Sequence, residues 1–509
     1  MAGRRVAVLV AIGLAGCLAP AAGAAAHAGA PDRGVRATHP SAGAVAPVVR
    51  QLAAEARTAA SGGAVVHDFN GVSSRDSAIT NFGAEFEPPD QGLCVGNGFV
   101  LEPVNSAFRI YRTDGTSLAG PTNVNAIFGD GFRQFTTDPR CHYDPTTGTW
   151  FAVIAFLNDT FTAGRVEIAV RRSPDPRGPW RTFKINVTHP GGTACPCFGD
   201  QPLLGIDAHN VYVSTNEFSI LKPRFNGAQL YVVDKSDLVA GAAAPSFVHI
   251  GPLHADGALA GSVQPAITVG PSNAEYFMSS LDNTGHGDHR IVVWALTHRD
   301  LHAGVPRLTK TVIDSQHYAV PPPTRQLGAP TRLDSGDDRM QQVQAIGGRL
   351  WGELGTGLRT GTTGPTLAAA AWFEVLPSLH DGHVRAHIRR QGYVASPGNG
   401  VLYPAIAGDR NGNAVMGFSV SGVGMYPSAG FARIGANVAD FGPVRITGHG
   451  TGPYSQASER WGDYSWAVLD PAADRVWLAN EYIPPRSSQT VDRHQNWGTR
   501  VYAVRLPSP

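Results

Sequence analysis

The stretch DQPLLGIDAHNVYV, residues 200–213, contains a polar opening residue, a short apolar run, a tight turn and a second apolar run. The same pattern returns six more times, at intervals of about 45–75 residues, and the other copies begin at Asp90, Asp138, Gln264, Arg339, Tyr403 and Asp463. A hairpin repeat of this length is typical of a β-propeller, in which each repeat supplies one four-stranded antiparallel blade. We therefore predict an all-β protein, a seven-bladed β-propeller.

The two ends of the chain predict how the ring of blades closes. The last repeat ends soon after a strand-like run over 496–506 and lacks a strand of its own. The segment AVVHDFNGV, residues 64–72, resembles a strand that has no partner near it in the sequence. We expect this N-terminal strand to complete the last blade, because that arrangement leaves no exposed sheet edge.

Composition excludes some functional classes. The 509 residues include 41 Lys and Arg against 40 Asp and Glu, a formal net charge of +1. This balance lacks the basic excess that is typical of nucleic-acid-binding proteins. The 60 glycines and 38 prolines favour a fold with many turns over one with long helices. We expect a monomer that does not bind nucleic acid.

The N-terminus predicts export. A basic pair and an apolar run over 4–14 precede a small-residue cleavage site, Ala-His-Ala, at 26–28. We assign 1–30 to a signal peptide, 31–62 to a flexible, disordered linker that lacks aromatic residues, and 63–509 to the β-propeller domain. The apolar run is too short for a transmembrane segment in the mature chain.

A second interpretation of the N-terminus remains open. Residues 14–17, Leu-Ala-Gly-Cys, resemble a bacterial lipoprotein box. The protein is then either secreted or anchored by a lipid at Cys17. Both alternatives place it outside the cytoplasm.

Four cysteines follow the predicted signal peptide. An even number of cysteines in an oxidising compartment suggests disulfides. Cys94 and Cys141 fall midway along the predicted innermost strands of neighbouring blades, which predicts a cross-blade bridge. Cys195 and Cys197 are too close for a common structural zinc pattern, and we expect a loop disulfide there.

Loop lengths distinguish the two faces of the predicted propeller. The loops that enter first strands and those that leave second strands emerge on the same side, and the longest segments collect there. Long loops on a rigid scaffold are where binding and catalysis usually occur. We expect this face to be functional. The segment His380–His387 is assigned to the opposite face, with no chemistry.

Acidic residues recur on the long-loop face. Asp200 and Asp463 each open a repeat after a glycine, and Glu217 and Glu481 occur in the related motifs TNEF and ANEY at the ends of second strands. We predict that these four are catalytic, because carboxylates that lie close together raise each other's pKa and can then act as acid and base. The same acids could instead bind a hard cation, above all calcium. They could also have only a structural role, as caps of backbone N–H groups or in pairs with local arginines such as Arg224 or Arg460.

A further set of residues on this face is predicted to contact a ligand. Carboxylates at the channel mouth, one guanidinium and a group of aromatic rings near the last blade belong to it: Asp90, Asp138, Arg339, Trp461, Tyr464 and Tyr482. The rings could stack on a sugar, or they could pack in the core.

Three groups of motifs carry a resemblance to uncharacterised secreted bacterial β-propeller proteins. They are PPD at 88–90, GDQP at 199–202 with TNEF at 215–218, and RWGDY at 460–464 with NEY at 480–482. The resemblance covers roughly residues 85–505; it implies the fold and export and supplies no activity. Sialidases share the general architecture, but their Ser-x-Asp-x-Gly-x-Thr-Trp motif is missing from this sequence.

The leading functional hypothesis is an extracellular β-propeller that acts on carbohydrate, as a glycoside hydrolase or a lyase, through carboxylates at the channel mouth. The alternative is a non-catalytic module for glycan or protein binding, or adhesion, at the cell surface. The expected partner is an extracellular glycan or another cell-surface ligand. No cofactor is required by either hypothesis, and calcium is the one that the acidic pattern allows.

Overall fold

The computed structural model describes residues 64–192, 195–221, 224–282, 285–359, 364–454, 460–470, 473–485 and 496–507. The predicted signal peptide, the predicted linker and Cys17 lie outside these residues. The described chain is all-β, with three short α-helices: α1 (Ser74–Thr80), α2 (Asn125–Phe128) and α3 (Lys235–Ala240). None of its helices has the length and apolar character needed to cross a bilayer.

Most strands of the described residues form antiparallel meanders of four strands. The N-terminal strand is β1 (Val65–Ser73). The first meander contains β2 (Cys94–Gly96), β3 (Phe99–Val104), β4 (Ala107–Arg112) and β5 (Ser117–Thr122), and the second contains β6 (Phe135–Asp144), β7 (Thr149–Leu157), β8 (Gly164–Arg172) and β9 (Arg181–Asn186). The third contains β10 (Cys197–Ile206), β11 (Asn210–Ser219), β12 (Phe225–Asp234) and β13 (Phe247–Ile250), and is followed by a small hairpin of β14 (His254–Ala255) and β15 (Ala258–Leu259).

The remaining meanders continue the same pattern. The fourth contains β16 (Gln264–Val269), β17 (Glu275–Ser280), β18 (Asp288–Thr297) and β19 (Arg307–Tyr318), and is followed by a hairpin of β20 (Thr324–Gln326) and β21 (Ala329–Leu333). The fifth contains β22 (Met340–Ile346), β23 (Arg349–Arg359), β24 (Thr366–His380) and β25 (His383–Val394). The sixth contains β26 (Asn399–Gly408), β27 (Ala414–Gly422), β28 (Met425–Ile434) and β29 (Arg445–Gly448), and the seventh begins with β30 (Trp466–Asp470), β31 (Arg475–Tyr482) and β32 (Gly498–Arg505).

The N-terminal strand supplies the fourth strand of the seventh meander. β1 pairs antiparallel with β32, with Phe69 opposite Val501. Beyond the pairing, the Val72 N–H donates to the Glu102 carboxylate of the first meander at 2.9 Å, and the Thr499 hydroxyl donates to the Val72 carbonyl at 3.1 Å. β1 therefore ties the seventh meander to the first.

The first strands of consecutive meanders lie side by side. β10 pairs in parallel with β16, and β16 pairs in parallel with β22. Contacts also join β2 to β6, β6 to β10, β22 to β26, β26 to β30, and β30 back to β2. Because neighbouring first strands start from the same side, the residues that precede them gather at one end of the molecule. We call this the entry end.

Apolar side chains fill the spaces between neighbouring meanders. Between the second and third meanders, Val153, Ile168, Val213 and Tyr231 are all at most 2% exposed. Each fully buried aliphatic or aromatic side chain contributes about 1.5–3 kcal/mol through the hydrophobic effect. Face-to-face packing of the sheets thus holds the polar segments of the entry end in place.

Two disulfides confirm the predicted pairings. Cys94 of β2 is bonded to Cys141 of β6, with 5.5 Å between their Cα atoms, and this bond joins the first meander to the second. Cys195 is bonded to Cys197 in the loop that enters β10.

We predict that the seventh meander depends on β1. A chain that begins at Ser74 leaves the edge of β32 unpaired and removes the Val72 N–H from Glu102, so we expect its thermal unfolding midpoint to fall by about 5 °C or more and its aggregation to increase. A chain that begins at Ala64 retains β1 and serves as the control. Calorimetry and light scattering measure both effects, and equal midpoints for the two chains would contradict the prediction.

Candidate functional site

Four predicted carboxylates converge at the entry end, and we name them the entry cluster: Asp90, Asp138, Asp200 and Asp463. One carboxylate oxygen from each of Asp90, Asp138 and Asp463 lies within 4.8 Å of the other two. Asp200 is close enough for the charges of Asp138 and Asp463 to raise its pKa, in addition to the larger effect of its own burial. The structure thus brings together acids from the first, second, third and seventh repeats.

A recurring backbone distortion shapes the entry cluster. Asp90, Asp138, Gln201 and Tyr403 have φ values of 50°, 61°, 49° and 48°, in a region that is uncommon for residues other than glycine. The pairing of the first strand with the second shifts register beside Asp138, Gln201 and Tyr403. Such bulges bend a strand end and change the direction of its side chains. The residue equivalent to Asp138 in the third repeat is therefore Gln201, one position after Asp200.

Asp90 and Asp138 form a buried pair of carboxyl groups. Their exposures are 2% and 5%, and Asn105 binds both, because its Nδ2 donates to Asp90 Oδ2 at 2.8 Å and its Oδ1 accepts from the Asp138 N–H at 2.9 Å. Burial, together with the charges of Asp463 and Asp138, raises the pKa of Asp90 well above its usual value. Burial and the charge of Asp463 raise the pKa of Asp138 to about 6. The interaction between the two carboxyl groups raises the pKa of Asp90 and lowers that of Asp138, so the proton of the pair is favoured on Asp90.

Two arginines offset part of this negative charge. Arg460 Nη2 donates to both oxygens of Asp463, at 2.8 and 2.7 Å. Arg339 Nε donates to Asp337 Oδ1 at 2.7 Å, and its Nη1 donates to Gln201 Oε1. Burial raises the pKa of Asp463, while the guanidinium groups of Arg460 and Arg339 act in the opposite direction. The side chains of Asp463 and Arg460 are 20% and 17% exposed, so this part of the cluster contacts solvent.

Arg140 is a third cation beside the cluster, and the sequence pattern did not single it out. Its guanidinium is fully buried, 3.9 Å from the Tyr464 ring centroid and 4.9 Å from that of Trp466. Its Nε, Nη1 and Nη2 have no hydrogen-bond partner among the described residues. Burial lowers the pKa of Arg140, and the charges of Asp138 and Asp90 oppose that effect. Arg140 therefore balances the acidic pair by charge alone.

Glu217 does not join the entry cluster, which corrects the expectation that it approaches Asp200. In the pairing of β10 with β11, Glu217 lies opposite Gly199 and Asp200 lies opposite Asn216. Successive residues of a strand point to opposite faces, so Glu217 and Asp200 are on different sides of the sheet. Glu217 is 0% exposed, and neither carboxylate oxygen has a hydrogen-bond partner among the described residues, so the alternative of a pair with Arg224 does not hold either. Burial alone raises its pKa to about 8.

Glu481 lies behind the cluster. It is 1% exposed, and a Cβ atom on Gly462 would be 3.3 Å from its Oε2. Burial raises the pKa of Glu481 well above its usual value, and the charges of Glu87 and Asp463 act in the same direction. Asp463 and Glu481 are therefore close, as predicted, but Glu481 is buried behind the Gly462 backbone.

The predicted aromatic ligands are part of the core. Trp461 and Tyr464 are 0% exposed and Tyr482 is 1% exposed. Trp461 packs edge-on against Tyr454, and the Tyr482 hydroxyl donates to Asn70 Oδ1. None of these rings offers a free face for a sugar. The prediction that these rings contact a ligand is wrong because large rings at the junction of two sheets gain more from burial than from exposure.

The donor set of the entry cluster fits calcium poorly. Oxygens of Asp90, Asp138 and Asp463 are close enough to surround a cation, but Arg460 already binds both oxygens of Asp463. Calcium takes six to eight oxygen ligands, and Arg140 adds a positive charge beside the two remaining acids. A second group, Asp234, Asp237 and His302, lies elsewhere, and there Asp234 caps α3 through the Asp237 N–H at 2.9 Å.

Comparison with known proteins gives only distant likenesses. No family model and no curated protein matches the chain. Among solved structures, an α-L-arabinofuranosidase from Fusarium graminearum has a TM-score of 0.36 at 10% identity, over 87% of this chain and 98% of its own. A Trypanosoma rangeli sialidase has a TM-score of 0.36 at 11% identity over 78% of this chain, which spans 57% of the sialidase. A quinohemoprotein alcohol dehydrogenase from Comamonas testosteroni has a TM-score of 0.38 at 11% identity, over 86% of this chain and 70% of its own. Likenesses at this level carry no functional inference.

We predict that Glu217 makes stability fall as pH rises. The folded state keeps the Glu217 proton up to a pKa of about 8, whereas the unfolded chain releases it near pH 4.5, so the contribution of Glu217 to the free energy of unfolding decreases between these values. Glu217→Gln removes this dependence. We expect the free energy of unfolding of the variant to equal that of the parent at pH 4.5 and to exceed it by roughly 2–4 kcal/mol at pH 8.

Denaturant titrations of both proteins at several pH values measure this difference. Asp159→Asn changes an exposed acid in the loop between β7 and β8, and it serves as the control with a nearly constant difference. A Glu217→Gln effect that does not change with pH would contradict the prediction.

Proposed function

We propose that the seven meanders form a closed, seven-bladed β-propeller that is exported from the cell and acts on carbohydrate, as a glycoside hydrolase or a lyase, at the entry cluster. Support for the ring comes from the contacts of each first strand with the next, including β30 with β2, and from the position of β1 in the seventh meander. The sequence resemblance to secreted bacterial propellers supports export.

One observation carries the functional part of the proposal. Asp90 and Asp138 share a hydrogen bond and have pKa values that are raised to different extents, and the Asp463 carboxylate is within 4.8 Å of both. A pair of carboxyl groups of which one is protonated and the other ionised suits a reaction that needs both an acid and a base. We assign the acid to Asp90 and the base to Asp138.

The charged groups around the acidic pair have a different role in this proposal. Asp463, Asp200, Arg339 and Arg460 lie around the acidic pair and bear both signs of charge. The carboxylates can accept hydrogen bonds from the hydroxyl groups of a sugar, and the guanidiniums can donate hydrogen bonds to them. Arg140 acts through Asp138 and is a positioning residue, because its charge favours the ionised form of that carboxyl group.

The decisive experiment is a screen of the purified protein against a panel of polysaccharides, with detection of new reducing ends. For any substrate found, we expect Asp138→Asn and Asp90→Asn to reduce kcat by about 100-fold or more, as is typical for the loss of an acid or base. Asp159→Asn is the matched control, because Asp159 is an exposed acid in the loop between β7 and β8 at the same end of the molecule.

The pH dependence gives an independent readout. With Asp138 as the base, kcat/KM should rise with pH and level off above a pKa of about 6. Full activity in both variants would contradict the assignment. Glycan binding on arrays without any turnover would instead favour the second hypothesis, a non-catalytic binding or adhesion module at the cell surface.

A further inference from the structure

One hairpin extends past the rest of the fifth meander, at the end opposite the entry end. The pairing of β23 with β24 stops at Leu350 opposite Val375, close to the turn that precedes β23. The pairing of β24 with β25 continues to His380 opposite His383. Five residues of β24, or about 17 Å of strand, therefore project beyond the sheet.

One face of the projecting hairpin carries only basic and neutral side chains. The cross-strand pairs Leu376–His387, Ser378–Arg385 and His380–His383 alternate along the hairpin and so share a face. His383, Arg385 and His387 are exposed. At the tip, Asp381 Oδ2 lies 3.1 Å from His380 Nδ1, and on the neighbouring β19, Arg307 Nη2 donates to His383 Nε2 at 2.7 Å.

The same face continues into a cluster of three arginines around one carboxylate. Glu374 lies opposite Arg390 and is 0% exposed. Its carboxylate accepts from Arg390 Nε and from Arg389 Nη1, the latter at 2.9 Å, and it lies 3.5 Å from Arg349 Nη1. Three guanidinium groups on one carboxylate leave an excess of two positive charges. We name the whole surface the basic strip: Arg349, His380, His383, Arg385, His387, Arg389 and Arg390.

We propose that the basic strip binds a linear anionic polysaccharide, with sulfate or carboxylate groups on the exposed guanidiniums of Arg385 and Arg389. The strip concentrates four arginines on a chain whose net charge is only +1. From Glu374 to His380 it follows a single strand for about 20 Å, which matches an extended polymer better than an isolated ion. Arginine presents paired donors that fit sulfate and carboxylate groups.

The direction of the strip and its composition argue against two other anionic partners. Arg390 Nη1 donates to the Gly435 carbonyl and its Nη2 to the Gly412 carbonyl, so this face is turned sideways towards the sixth meander. A flat membrane could meet the tip of the hairpin but not the length of the strip. The strip also contains no Phe, Tyr or Trp, the large rings on which the bases of a single-stranded nucleic acid stack best.

The test compares the affinity of a heparin octasaccharide for the full chain and for two double variants. Arg385→Gln with Arg389→Gln removes two charges from the strip, and Arg112→Gln with Arg172→Gln removes two charges from exposed positions on β4 and β8. We expect the strip variant to bind about fivefold more weakly or worse, and the control less than twofold more weakly. Higher salt should weaken binding of the parent protein.

A third variant separates binding from folding. Arg385→Gln with His387→Gln leaves the arginines around Glu374 intact, and it should also weaken binding while its thermal unfolding midpoint stays unchanged. The proposal is overturned if the parent does not bind the octasaccharide, if the control loses as much affinity as the strip variants, or if anionic vesicles or single-stranded DNA bind the strip more tightly than the octasaccharide does.

Discussion

The side-by-side packing of the first strands is the constraint on which the rest of the structure depends. Because β10, β16 and β22 run in parallel, and the other first strands contact their neighbours in turn, each repeat delivers its opening residues to the same small space. Four of those residues are aspartates from distant parts of the chain. Their mutual repulsion in a poorly solvated environment is costly, and it is reduced in two ways: the raised pKa of Asp90 favours its neutral form, and Arg140, Arg339 and Arg460 supply positive charge.

A second row of acids lies on the second strands, where each is fully buried and is stabilised differently. Glu102 accepts from the Val72 N–H, and Glu353 accepts from the Gln342 N–H at 3.1 Å. Glu217 has no comparable contact among the described residues, and its pKa of about 8 exceeds the value of about 7 for Glu102. An unsatisfied buried carboxyl group costs free energy that packing elsewhere must offset. Of these three residues, Glu217 is the one whose two carboxyl oxygens both lack a hydrogen-bond partner among the described residues.

Sequence reasoning succeeded where local patterns repeat. Turn residues and alternating apolar runs predicted the hairpins, the pairing partner of the N-terminal strand and the bond between Cys94 and Cys141. It failed where one residue of register or one distant neighbour decides the outcome. The bulge at Gln201 and the pairing of Glu217 with Gly199 separate two acids that the spacing appeared to unite. The burial of Arg140 could not be predicted from its neighbours in sequence, because the Tyr464 ring that covers its guanidinium is more than 300 residues away in the chain.

The seventh meander combines strands that are distant in the sequence, which affects how the protein can fold. β1 is synthesised more than 400 residues before β32, so their hydrogen bonds cannot form until the intervening meanders have been made. Contacts between residues so far apart in sequence slow folding, since a long loop must close before they form. Until then the early strand remains an open template for other chains. The unpaired edge of β1 is therefore exposed to other strands until β32 has been synthesised.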